Sequence, residues 1–143
     1  MAKYLGPTPG LGSVGQYQMS GKPWATASFA VPGAGAAPLE ISFPTVTSWL
    51  WIKNLDSNIP VRLGFSALGT TGTLGVAGGT NHFVYIAPEA EASTFQIRCR
   101  SIFLLSDTVS ENTSVCIMAG LTAINNNLVD TAGPNYSGSV GVG

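Results

Sequence analysis

The run VTSWLWIKNL (residues 46–55) constrains the fold more than any other segment of this chain. Val46, Leu50 and Ile52 fall on one side of an extended backbone, and Thr47, Trp49, Trp51, Lys53 and Leu55 on the other, the period-two signature of a strand. Aliphatic residues occupy one face and two tryptophans the other. Either the tryptophans are core, or the sheet is covered on both sides. Further runs follow the same logic. Leu39, Ile41 and Phe43 alternate with Glu40 and Ser42 until Pro44 stops them. Val61, Leu63 and Phe65 alternate with Arg62, Gly64 and Ser66 within residues 59–67. Asp56-Ser57-Asn58 lies between two such runs and predicts a hairpin. Residues 16–19, 25–31, 81–87, 95–105 and 114–124 supply the other extended runs. No amphipathic pattern lasts longer than a turn or two of helix. About eight short strands separated by frequent turn signals imply an all-β sandwich or barrel.

Glycine and proline mark the limits of that domain. The first fifteen residues (MAKYLGPTPGLGSVG) are too rich in both for helix or strand interior, and read as an extended arm. The domain then spans 16–124, and 125–143 returns to low-complexity sequence as a flexible or partner-bound tail. An arm ordered by lying across a neighbour would give Tyr4 and Leu5 a surface to bury. Residues 69–80 (GTTGTLGVAGGT) read as a long mobile loop.

Charge is scarce. Six Lys/Arg and seven Asp/Glu in 143 residues make 9% of the chain, against about a quarter in ordinary soluble domains. A folded protein without a charged skin is one whose surface neighbours cover. The formal net charge of −1 argues against a nucleic-acid partner, because phosphate binding needs clustered cations. Arg98 and Arg100 would share one face of a strand, where solvated side chains are favoured over an anion site. No apolar stretch is long enough to span a bilayer. Lys3 followed by Gly and Pro is not a signal peptide, so Cys99 and Cys116 are expected as free thiols in a reducing compartment. The sequon Asn112-Thr113-Ser114 then indicates no more than a surface loop.

Catalytic and metal motifs fail on context. Residues 10–15 (GLGSVG) spell G-x-G-x-x-G, but prolines precede them and strand is expected after them, where a dinucleotide site needs strand then helix. Residues 64–69 (GFSALG) approach a nucleophile elbow with the second glycine one place late and a loop in place of the helix. A Ser66–His82 pair with Asp56 or Asp107 would require every scarce residue to converge. One histidine and two distant cysteines give no zinc spacing. Asn125, Asn126, Asn127 and Asp130 carry too little charge for a tight calcium site. No enzyme, cofactor or metal is expected. The tryptophans remain: Trp24, Trp49 and Trp51 are candidate assembly contacts, with core placement expected for at least one, and an aromatic platform for sugar rings as the third reading.

The order of segments carries a resemblance. Lys22-Pro23-Trp24 is followed by Ile-Ser-Phe-Pro-Thr-Val-Thr (41–47), Trp-Ile-Lys-Asn (51–54) and Val-Arg-Leu-Gly-Phe-Ser (61–66). A glycine loop, His-Phe-Val-Tyr (82–85), Ile-Arg-Cys (97–99) and Ala-Gly-Leu-Thr (119–122) complete it. Over residues 22–124 the chain resembles the small single jelly-roll capsid proteins of large icosahedral double-stranded DNA viruses, of the penton or minor capsid type found in algal viruses. The resemblance implies a single jelly-roll β-sandwich of about eight strands between Gly/Pro-rich arms. It also implies a homopentameric ring at a capsid vertex, tied to neighbouring capsid proteins and assembled in the host cytoplasm. The loop 69–80 would sit at one end of the barrel. A capsid or tail decoration protein, or a carbohydrate-binding module for host attachment, shares the composition.

Overall fold

A computed structural model of the chain describes residues 8–71, 83–91 and 94–129. Tyr4, Leu5, His82, Asp130, most of the glycine-rich loop and the C-terminal tail lie outside the described residues. Two antiparallel sheets face each other as an all-β sandwich. One holds β1 (Lys22–Val31), β7 (Thr113–Asn125) and β3 (Thr45–Asn54), in that order. The other holds β2 (Leu39–Ser42), β6 (Ser101–Ser106), β4 (Val61–Gly64) and β5 (Phe83–Ile86). The described residues thus form seven strands.

Alternation decides which side of each strand is core. Val46, Leu50 and Ile52 of β3 are fully buried, as are Val61 and Leu63 of β4, Ile102 and Leu104 of β6, and Val115, Ile117 and Ala119 of β7. A one-residue slip in any of these strands would turn its whole apolar set outward, so the pattern also fixes register. Trp24 joins the margin of this core from β1. Its ring stacks on Phe29 at 6.4 Å between centroids and meets Phe43 edge-on at 4.9 Å.

The free side of β3 is occupied by residues 90–91 and 95–99. Leu50 and Phe95 exchange backbone bonds of 2.9 and 2.8 Å, Asn54 N donates to Ala90 O, and Thr47 N donates to Cys99 O. Register shifts on either side of Thr47 bulge β3 there. The buried Thr47 hydroxyl donates to Ile97 O at 2.9 Å and accepts from Cys99 N at 3.1 Å. Only isolated bridges result, at Leu50 with Phe95 and Lys53 with Glu91. The expected strand 95–105 is therefore regular only from Ser101 onward.

Three local expectations are corrected. Residues 16–19 are not a strand: Val14–Gln18 is one turn of helix, α1. Tertiary contacts hold it, because the Gln16 side-chain carbonyl accepts from Ala123 N and the Tyr17 hydroxyl donates to Leu11 O. The described part of the N-terminal arm accordingly folds back on its own domain, where Arg98 donates to Leu11 O. Second, Asp56-Ser57-Asn58 is not a hairpin. β3 and β4 belong to different sheets, and the turn carries the chain over the end of the sandwich. Fully buried Asn54 directs that crossing by donating to Ile59 O at 2.8 Å and Ala87 O at 3.2 Å. Third, the glycine-rich loop begins as helix: Ala67–Thr70 forms α2, with Ser66 Oγ accepting from Gly69 N as an N-cap.

Candidate interaction surface

The two outer faces of the sandwich differ. On the four-stranded sheet, α2 packs over β4 and β6. Beneath it Arg62, which alternation alone reads as solvated, is 6% exposed. Its Nε lies 2.6 Å from Asp107 Oδ1, its Nη1 donates to Thr70 O, and its guanidinium sits 4.8 Å from the centre of the Phe83 ring. A buried cation is tolerable only when paired and bonded in this way. Over β4 and β6 that face is covered by the chain itself.

Among the described residues no helix covers the centre of the three-stranded sheet. Its register sets Trp49 of β3 opposite Gly120 of β7, Trp51 opposite Met118, and Lys53 opposite Cys116. On the other flank Ala25 of β1 lies opposite Met118 and Pro23 opposite Gly120. Lys53 is the single charge among these residues. Trp49 and Trp51 are half-buried, and Met118 is 41% exposed. The inner positions between the tryptophans belong to Leu50 and Ile52 at 0% exposure. The tryptophans of β3 are therefore outward, and the core tryptophan is Trp24.

Gly120 explains how Trp49 lies flat on that face. A methyl group at Gly120 would stand 2.1 Å from Trp49 Nε1 and 2.7 Å from its Cδ1, so the indole occupies the space a side chain would take. Gly21 fits against the same spot, with a methyl there reaching 2.5 Å from Gly120 Cα. An aromatic side chain covering a cross-strand glycine protects backbone that is otherwise open to water. Trp51 has no such bed and presents its ring beside Met118. Sequence reading missed this pair, although an isolated glycine inside a strand pattern signals close approach.

The residues considered for catalysis have separate structural tasks. Ser66 caps α2 and Asp107 pairs with Arg62. Asp56 Oδ1 accepts from Asn58 N at 2.8 Å and Ile59 N at 2.9 Å, which holds its carboxyl below the usual range. Cys99 and Cys116 are free thiols. Burial pushes Cys99 up, opposed by its bond with the Thr47 hydroxyl. Among the described residues no three His, Cys, Asp or Glu side chains gather. A cleft of about 450 Å³ opens between α1 and the start of β1, lined among others by Met19, Lys22, Trp24, Pro44 and Thr122. Lys22 is its one charged group, so it offers no acid–base pair. Among the described residues no helix is long and apolar enough to cross a membrane. The chain matches no family model, no curated protein and no solved structure.

Proposed function

We propose that this chain is a non-enzymatic structural subunit of an icosahedral virus capsid, a single jelly roll that forms a five-membered ring at the vertex and contacts neighbouring capsid proteins in the virion. What supports the fold reading is the order of pairing. Residues 95–99 run beside β3 and count as an eighth segment. The first segment then pairs with the last (β1 with β7), the second with the second-last (β2 with β6), the third with the third-last, and the two middle strands (β4 with β5) with each other. This is one long hairpin rolled up so that β3 also meets β7 and β4 also meets β6. Double-sheet jelly rolls of this kind recur in capsid and lectin domains.

The observation that carries the assembly role is the bare outer face of the three-stranded sheet. Trp51, Met118 and Ala25 form a nearly uncharged patch on a chain with little charge anywhere. Aromatic and Met side chains with depleted charge mark the centres of protein interfaces. Trp49, already bedded on Gly120, and Trp24, at the core margin, contribute shape more than new contact. A ring about a five-fold axis is a closed heterologous assembly, in which this face meets a different patch of the next subunit.

Light scattering over a concentration series tests the reading. The expected result is a discrete five-fold species that Trp51→Ala or Met118→Glu dissolves into folded monomer. A chain that stays monomeric at every concentration refutes the ring. One observation favours a second reading: the half-exposed Trp51 ring beside Lys53 is a surface on which a sugar could stack. Retention on immobilised glycan, lost in Trp51→Ala, would select that function.

A further inference from the structure

Every open sheet edge presents a row of unpaired N–H and C=O groups, and folded proteins guard such rows with charge, proline, bulges or covering chain. The edges of this sandwich differ in how they are guarded. β1 begins with Lys22 and Pro23 and is bulged between Thr26 and Phe29. β2 has exposed Glu40 at its centre, with Pro38 before it and Pro44 after it. The edge of β3 is covered by residues 90–91 and 95–99. Among the described residues β5 has none of these devices. Its four residues, Phe83-Val84-Tyr85-Ile86, include no charge and no proline. Its ladder with β4 runs from Gly64 opposite Phe83 to Val61 opposite Ile86 without a slip. Val84 is 45% exposed and Tyr85 41%. Among the described residues no strand pairs with its outer edge.

We propose that β5 is a docking edge for β5 of a second copy of this chain, paired antiparallel across a two-fold axis. Backbone chemistry selects an extended strand as the occupant. In a second copy, the unguarded strand among the described residues is β5 again, so self-pairing is the match that leaves no guarded edge to overcome. Like charges directly opposite each other oppose self-pairing, and this strand carries none. Residues directly opposite in an antiparallel pair share a face, so centring the pair on Val84 sets Val84 against the partner's Val84 and Phe83 against the partner's Tyr85. The Phe83–Tyr85 pairs are aromatic with aromatic, a favourable cross-strand combination. The contact joins two four-stranded sheets into one continuous sheet through an isologous interface. Four residues offer few ladder bonds, so the association is weak and visible at high concentration. It lies on the opposite sheet from Trp51 and is independent of the ring proposed above.

Sedimentation velocity of the full chain over a wide concentration range tests this, with Val84→Lys and Val84→Thr alongside. Val84 is exposed, so both variants should keep the wild-type circular dichroism. The wild type should show a two-fold equilibrium. Val84→Lys should weaken it at least about tenfold by setting two cations side by side, and uncharged, β-branched Val84→Thr should leave it within about twofold. Amide exchange over residues 83–86 should slow as concentration rises. Trp51→Ala should leave this two-fold step intact. The proposal is overturned if wild type shows no two-fold species, if Val84→Lys associates as tightly as wild type, or if Trp51→Ala alone abolishes the step.

Discussion

Gly120→Ala is the sharpest test of how the outer face is built. In isolation, alanine should improve a strand by about 0.5–1 kcal/mol, because glycine loses more conformational freedom on folding. Here the new methyl would stand 2.1 Å from Trp49 Nε1 and 2.5 Å from Cε2, so the indole must move. Overpacking of this kind costs about 1–3 kcal/mol. If instead the half-buried ring lifts away, it returns about 100 Å² to water, or about 2.5 kcal/mol at 25 cal/mol per Å². Subtracting the strand gain leaves a net destabilisation of about 1–2 kcal/mol, equivalent to roughly 3–6 °C in a chain of this size. In a Trp49→Ala background the clash is gone, and the same substitution should stabilise by about 0.5–1 kcal/mol. The sign therefore reverses between backgrounds, with a coupling of about 1.5–3 kcal/mol. Urea unfolding of the four proteins, followed by far-ultraviolet circular dichroism to avoid the lost tryptophan signal, measures it. An equal effect of Gly120→Ala in both backgrounds, or stabilisation of the wild type, would show that Trp49 does not lie on Gly120.

Three further outcomes follow from buried polar groups and the end turn. Asn54→Ala should cost about 3 kcal/mol in chemical denaturation, because it strips the donor from Ile59 O and Ala87 O and the acceptor from Asp56 N; a loss below about 1 kcal/mol contradicts its role as the crossing clamp. Arg62→Met should cost about 2–3 kcal/mol by leaving Asp107 unpaired beneath α2, and adding Asp107→Leu should restore most of it; equal losses in single and double variants would rule out the pair as the cause. The Asp56 carboxyl is held below its unfolded value of 3.8 by two backbone N–H groups. Its contribution is therefore complete above that pH and is lost as pH falls through the lower folded value. Asp56→Ala should flatten the acid slope of stability below about pH 4, and an unchanged slope would refute this.

Strand positions were legible because burial and alternation are local facts. In β3 Val46, Leu50 and Ile52, which the pattern assigned to one face, are at zero exposure. So is Thr47, which it assigned to the other, because the register shifts on either side of Thr47 break the alternation there. What the pattern could not say was which face looks inward, since both are apolar; that depends on Gly120, 71 positions after Trp49 in the chain. The turn at Asp56 was legible as a turn, because its carboxylate satisfies two backbone donors locally. Its destination was not, because Asn54 draws the chain into the other sheet through carbonyls at residues 59 and 87. Residues 14–18 and 66–70 were read as non-helical because neither window has helical periodicity. One turn of helix needs none when distant groups hold it, as Ala123 does for Gln16. Arg62 looked solvated for the same reason, its cover being supplied by Thr70 and Asp107.

The position of β7 has a consequence for biosynthesis. Among the described residues it is the last strand to be made, yet it is the middle strand of its sheet, with Lys22 of β1 opposite Leu121 on one side and Trp51 of β3 opposite Met118 on the other. Until residues 113–125 leave the ribosome, β1 has no partner and one side of β3 is open, and their apolar residues have nothing to bury against. Pairings this distant in sequence form slowly, and exposed strands meanwhile invite aggregation. A nascent chain ending before β7 should be bound by chaperones and cut by proteases, whereas one extended past Asn125 should become resistant in a single step. Quality control is thus built into the winding: a chain truncated before β7 cannot complete its three-stranded sheet.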